Sequence, residues 1–132
     1  MIKSITYKKK CLALIIRNSY LKKDGINFFT NNKLSQQVAF MSHKKNHIIQ
    51  PHLHRKRLKK IYDTTEVLII LSGSLKVDFY SDKKKYLFSN ILKKNDIIIL
   101  LTAGHGFKVL EKCKFIEVKQ GPYNPKLDKF KF

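Results

Sequence analysis

Four side chains in this sequence have types and positions that could share one chemistry. His52 and His54 stand two apart in "PHLHRKRLKK", Glu66 opens the apolar run "EVLIILSG", and His105 sits between glycines in "TAGHGF". Read as strand, a spacing of two puts both imidazoles on the same face of a sheet and Leu53 on the other. Imidazoles so placed can converge on one ion at the roughly 2.0–2.1 Å of a Zn–N bond, with Glu66 adding an oxygen from a neighbouring position. The glycines beside His105 let the backbone approach closely. Three imidazoles and a carboxylate suit a divalent ion such as Zn, Fe, Ni or Mn, with room left for water or substrate. Without a metal, His52 and His54 can serve directly as base and acid, because imidazole titrates near neutral pH. His105 is a further group for proton transfer, while His43 and His47 read as surface or rim residues.

The run that follows the histidine pair, "RKRLKK" from Arg55 to Lys60, has five basic residues in six. It reads either as a solvated loop or as a lip that holds phosphate. In the second case Arg55 and Arg57 offer bidentate forks and the lysines point charges. Tyr62 is the aromatic nearest this lip; it either stacks on a sugar or base or packs within its own hairpin. Nucleic acid is the disfavoured partner, since the run lacks both interleaved aromatics and a recognition helix.

The elements that must position these groups read as strands. Short runs rich in Ile, Val, Leu, Phe and Tyr recur without helical periodicity, broken by polar or glycine-bearing turns. Strands are expected at Cys11–Arg17, Gln36–His43, His47–His54, Glu66–Leu71, Ser74–Tyr80, Tyr86–Leu92, Asp96–Leu101, Phe107–Glu111 and Cys113–Lys119. "LSGSL" and "YSDKKKY" read as hairpin connections, and Asn95-Asp96 as a third turn. So many short strands predict one all-β, mainly antiparallel sandwich or barrel. The chain of 132 residues is long enough for one core and too short for two. Its barrel is expected over residues 36–120, with N-terminal strands in 1–35 and a tail, 121–132, lying over the outside.

Composition narrows the partners. Lys and Arg total 28 against nine acids, a net charge of +19. Such a field favours anionic ligands, although a Lys-, Ile- and Asn-rich composition also arises without selection for binding. The apolar run Cys11–Ile16 is too short for a signal peptide's core, and no segment approaches the roughly 20 apolar residues of a membrane span. Two distant cysteines, Cys11 and Cys113, in apolar stretches read as buried reduced thiols of a cytoplasmic protein.

The ordering of these motifs resembles the cupin superfamily, with a His-x-His pair, then Glu, then Gly, and a second motif supplying another His. Glu66 and Gly73 stand seven positions apart as in that pattern, and "NDIIILLTAGH" occupies the place of the second motif. Eleven residues, "RKRLKKIYDTT", separate His54 from Glu66, a longer spacing than the family's; Asn95 and Leu101 replace a glycine and a proline. The closing "FIEVKQGPY" is similar to the tail of small single-domain cupins of bacterial surface-polysaccharide biosynthesis, the WbuC-like group. The resemblance implies a double-stranded β-helix (jelly-roll barrel) and His52, His54, Glu66 and His105 as ligands of a divalent metal. It implies a small anionic carbohydrate or nucleotide-sugar as substrate, isomerase or epimerase chemistry, and a homodimer. A non-catalytic sugar-binding module and a metal-free ketoisomerase using the histidine pair are its alternatives.

Overall fold

The computed structural model describes residues 1–20 and 24–132. Within them the protein is all-β and antiparallel. The strands are β1 (Ile2–Tyr7), β2 (Lys10–Ile16), β3 (Gly25–Phe28), β4 (Ala39–Ser42), β5 (Glu66–Tyr80), β6 (Tyr86–Lys93), β7 (Ile97–Leu100) and β8 (Gly104–Lys119). Six strands form one sheet in the order β1-β2-β7-β5-β6, with β8 along the other side of β5; β3 and β4 make a separate hairpin. The pairings described do not close into a barrel, so the all-β antiparallel expectation holds at that coarser level. No helix among the described residues is long and apolar enough to cross a membrane.

Strand β5 organises the sheet. Its first part, Glu66–Ile69, lies between β7 and β8, and its last part, Ser74–Tyr80, lies between β6 and β8. Side chains alternate between two cores as the two-residue period of a strand requires. Leu68, Ile70, Leu75, Val77 and Phe79 enter one core with Leu12, Ala13, Ile15, Leu92, Ile98 and Leu100. Val67 enters the other with Ile16, Ile99 and Phe29, against which Val38, Phe40 and Ile69 also pack. Each fully buried Leu, Ile or Phe contributes roughly 1.5–3 kcal/mol of transfer free energy, so the two faces of β5 and β7 hold the fold together.

The reading of "LSGSL" as a hairpin turn is corrected by this strand. Residues 66–80 run on as one strand that bends in place, because Gly73 has φ 74° and its pairing with β8 shifts register on both sides of it. A glycine in left-handed conformation at a bulge turns a strand without ending it. Strand β8 likewise merges the two strands expected at Phe107–Glu111 and Cys113–Lys119. The strand expected at His47–His54 does not form: residues 43–64 carry no regular pairing and are exposed throughout. Pro51 has no N–H for a ladder, and the like charges that follow favour solvent over a packed sheet. Strands β1 and β3 were not among those expected as individual elements.

Candidate functional site

Strand β7 ends at Leu100, which pairs with Glu66 at the start of β5. The chain then turns through Leu101–Ala103 into β8, where His105 pairs with Phe79 near the other end of β5. The turn is fixed from below, Leu101 N and Thr102 N both donating to Leu12 O on β2 at 2.9 and 3.2 Å. Ala103 within it has φ 88°, a left-handed conformation that costs a residue with a Cβ on the order of 1 kcal/mol or more. The bend at Gly73 and this short turn together bring His105 against Glu66 across the inner face of the sheet.

His105 Nε2 lies 3.0 Å from Glu66 Oε2. Glu66 is 5% exposed, one of few charged groups in the interior. Burial alone would raise its pKa; the hydrogen bond from His105, with the charges of His105, Lys129 and Lys119, outweighs burial and holds it below the ordinary glutamate range. An ionised carboxylate only accepts, so the proton in this bond sits on Nε2; in the neutral form of the ring the lone pair then sits on Nδ1. The nearest partner of Nδ1 is Ala103 O at 3.4 Å, longer than an effective hydrogen bond. Nδ1 therefore has no close hydrogen-bond partner among the described residues.

The pair lies in the wall of a cavity of about 670 Å³. That volume suits a small ligand, since binding cavities commonly run from ~300 to ~1,000 Å³. Lys119 Nζ stands 3.9 Å from Glu66 Oε1 and 2.7 Å from Glu117 Oε1, and 5.0 Å from the ring centroid of Tyr123. Its hydrogen bond to Glu117, followed by the charges of Glu117 and Glu66, raises its pKa against the effect of burial. Phe107 packs beside His105 with ring centroids 5.3 Å apart. The tail, expected over the outside, is exposed throughout and also borders this cavity, where Tyr123, Lys129, Phe130 and Phe132 line it. Phe132 stands edge-on to Tyr80 at 5.3 Å, and Lys84 Nζ lies 4.1 Å above the ring of Phe130. No sequence period signals this placement; the aromatic spacing in "KFKF" is its only trace.

His52 and His54 are elsewhere, in the exposed segment. Their rings face each other edge-on at 5.3 Å, and His52 Nδ1 is 2.9 Å from Gln50 O. His43 and His47 stack at 4.2 Å in the same segment and are exposed, as expected of surface residues. Arg55, Arg57 and Tyr62 are exposed too, and none of them lines the cavity. Of the four expected metal ligands, the structure thus brings together Glu66 and His105. Among the described residues no three His, Cys, Asp or Glu side chains converge to hold an ion. Two donors bonded to each other are fewer than the three or four protein ligands of a zinc-type centre, and as arranged they do not fit one. Cys11 and Cys113 are free thiols, each pushed up in pKa by burial.

No family model matches the chain, no curated protein matches its sequence, and no solved structure matches its fold.

Proposed function

We propose that this chain is a small cupin-like protein that moves a proton on a carbohydrate or nucleotide-sugar, an isomerase or epimerase working through Glu66 and His105. The observation that carries the reading is the 3.0 Å contact between His105 Nε2 and a buried, ionised Glu66 at a cavity wall. A carboxylate that accepts from one ring nitrogen fixes the tautomer and leaves the other nitrogen as the base. On a keto sugar, Nδ1 of His105 takes the proton from the carbon next to the carbonyl. The C–H electrons form the enediolate, and the negative charge on its oxygen falls beside the Lys119 ammonium, a form of electrostatic stabilisation. Return of the proton to the former carbonyl carbon, with the hydroxyl proton passing to the former carbonyl oxygen as the adjacent oxygen becomes the new carbonyl, completes an isomerisation; an epimerisation instead takes a solvent proton on the opposite face of the same carbon while His105 releases its own to solvent. Glu66 acts here as a positioning residue.

Binding and turnover of nucleotide-linked keto hexoses test this reading. His105→Asn removes turnover and retains binding, because Phe107, Tyr123 and Lys119 still line the cavity. Turnover unchanged in His105→Asn overturns it. Binding without turnover in the wild type makes the chain the non-catalytic module instead.

The metal centre on His52, His54, Glu66 and His105 belongs to another arrangement, with the exposed segment 43–64 folded over β8. The unpaired side of β8, with Val109 and Val118 about half exposed, is where such a segment would add. Elemental analysis of wild type beside His52→Ala/His54→Ala separates the two. One metal per chain, lost in a folded double variant, would replace the proton-transfer pair with that centre.

A further inference from the structure

A second cavity, of about 630 Å³, lies next to the first and shares Tyr80 and Ala103 with it. Its walls come from two hairpin tips far apart in sequence. One is the β1–β2 turn, "YKKK" from Tyr7 to Lys10; the other joins β5 to β6 and contains "KKKY" from Lys83 to Tyr86. Lys8, Lys10, Lys83 and Lys85 all line the cavity, against one carboxylate, Asp82. None of the four lysines is in an ion pair among the described residues. Tyr7 and Tyr86 add phenol rings, and Ser81 adds a hydroxyl.

The backbone at both tips sharpens the observation. Lys8, Lys9 and Lys84 have φ of 46°, 65° and 62°. Two successive left-handed residues make the β1–β2 connection a primed turn, where Asn-Gly or Gly-Gly is the less strained choice. Lysine at such positions is strained relative to glycine, which has no Cβ to clash. Ser81 fixes the second tip, with Lys84 N donating to Ser81 O and Ser81 N to Lys85 O, both at 2.8 Å. The two turns therefore bring four lysines to the lining of one hollow, where positive charge beside low-dielectric walls raises the local potential.

We propose that this hollow is a diphosphate-binding site, distinct from the Glu66–His105 pair, that takes the phosphates of an organic diphosphate such as a nucleoside diphosphate. Four point charges suit the dispersed charge of two phosphates, and the tyrosine faces suit a ring attached to them. A diphosphate held here lies one side chain, Tyr80, away from the other cavity. The inference does not rest on the proposed proton transfer: phosphate binding stands even if His105 proves inert.

Calorimetric titration with inorganic pyrophosphate and with UDP, at physiological ionic strength, tests it. Both probes are expected to saturate one site per chain and to displace each other. Lys8→Gln/Lys10→Gln/Lys83→Gln/Lys85→Gln weakens both by about tenfold or more, while Arg55→Gln/Lys56→Gln/Arg57→Gln/Lys59→Gln, which removes as many charges, changes them by less than about twofold. Should the first variant not fold, Lys83→Gln/Lys85→Gln alone must weaken pyrophosphate by about threefold. Equal weakening by both fourfold variants would show a general field effect and overturn the proposal. Weakening by the Arg55–Lys59 variant alone would place phosphate on the basic segment, and absence of saturable binding at that salt would leave no site.

Discussion

His105 Nε2 donates to Glu66 Oε2 at 3.0 Å, and this one contact ties the first residue of β5 to the second residue of β8. It also makes part of the fold's stability depend on pH. The folded-state pKa of Glu66 is depressed, first by the His105 hydrogen bond. A depressed carboxylate contributes stability that is full above the unfolded value and is lost as pH falls through the folded value. Wild-type stability should therefore drop on acidification below the ordinary glutamate range, and Glu66→Gln should flatten that part of the profile. Chemical denaturation at a series of pH values between about 6 and 3 measures it. Parallel acid limbs for the two proteins would mean that the contact contributes nothing.

Gly73 is the residue on which the roll of the sheet turns. With φ 74°, a Cβ there would collide with the carbonyl oxygen of Lys112 on β8, and both groups are backbone-bound. Gly73→Ala should lose about 2–4 kcal/mol, combining left-handed strain with a displaced ladder. Urea unfolding with a coincident spectroscopic check of the folded baseline tests the number. A loss below about 0.5 kcal/mol would show that β5 bends without it.

Asp96 closes the β6–β7 turn from inside. Its carboxylate accepts from Arg17 Nη1 at 2.6 Å, from Asn18 N at 3.1 Å and from Lys93 N at 3.0 Å, while the residue is 5% exposed. Asp96→Ala strands two backbone donors and a guanidinium, and should cost about 3–5 kcal/mol. Arg17→Ala, which leaves the backbone bonds in place, should cost less than half as much. The ratio of the two losses, from denaturant midpoints at constant m-value, checks the assignment.

Much of the sheet was legible in the sequence, for physical reasons that differ by strand. The short apolar runs in β2, β6 and β7, bounded by polar or turn residues, place those strands within two residues of where they lie. "LSGSL" misled because polar residues around a glycine normally mark a turn, whereas here a bulge absorbs the bend and the ladder with β8 continues. Glu66 and His105 were singled out by their order in the motifs, and the structure brings these two together. His52 and His54 were read with them on strand geometry, but the strand needs a neighbour that Pro51 and the basic run after it do not favour. The tail's return to the cavity rests on Phe132 meeting Tyr80, a tertiary contact that no local pattern encodes. The convergence of Lys8 and Lys10 with Lys83 and Lys85 likewise depends on topology alone.

Solvent-deuterium uptake tests the central claim most directly. Protein stripped of metal by chelation, confirmed by elemental analysis, is incubated in D2O with nucleotide-linked keto hexoses, and label at the carbon next to the carbonyl is followed by NMR. Uptake is expected in wild type and in His52→Ala/His54→Ala. Uptake should be at least about a hundredfold slower in His105→Asn, the scale of a lost general base, and slowed in Glu66→Gln with binding retained. Uptake that vanishes on metal removal and follows His52 and His54 rather than His105 would contradict that claim.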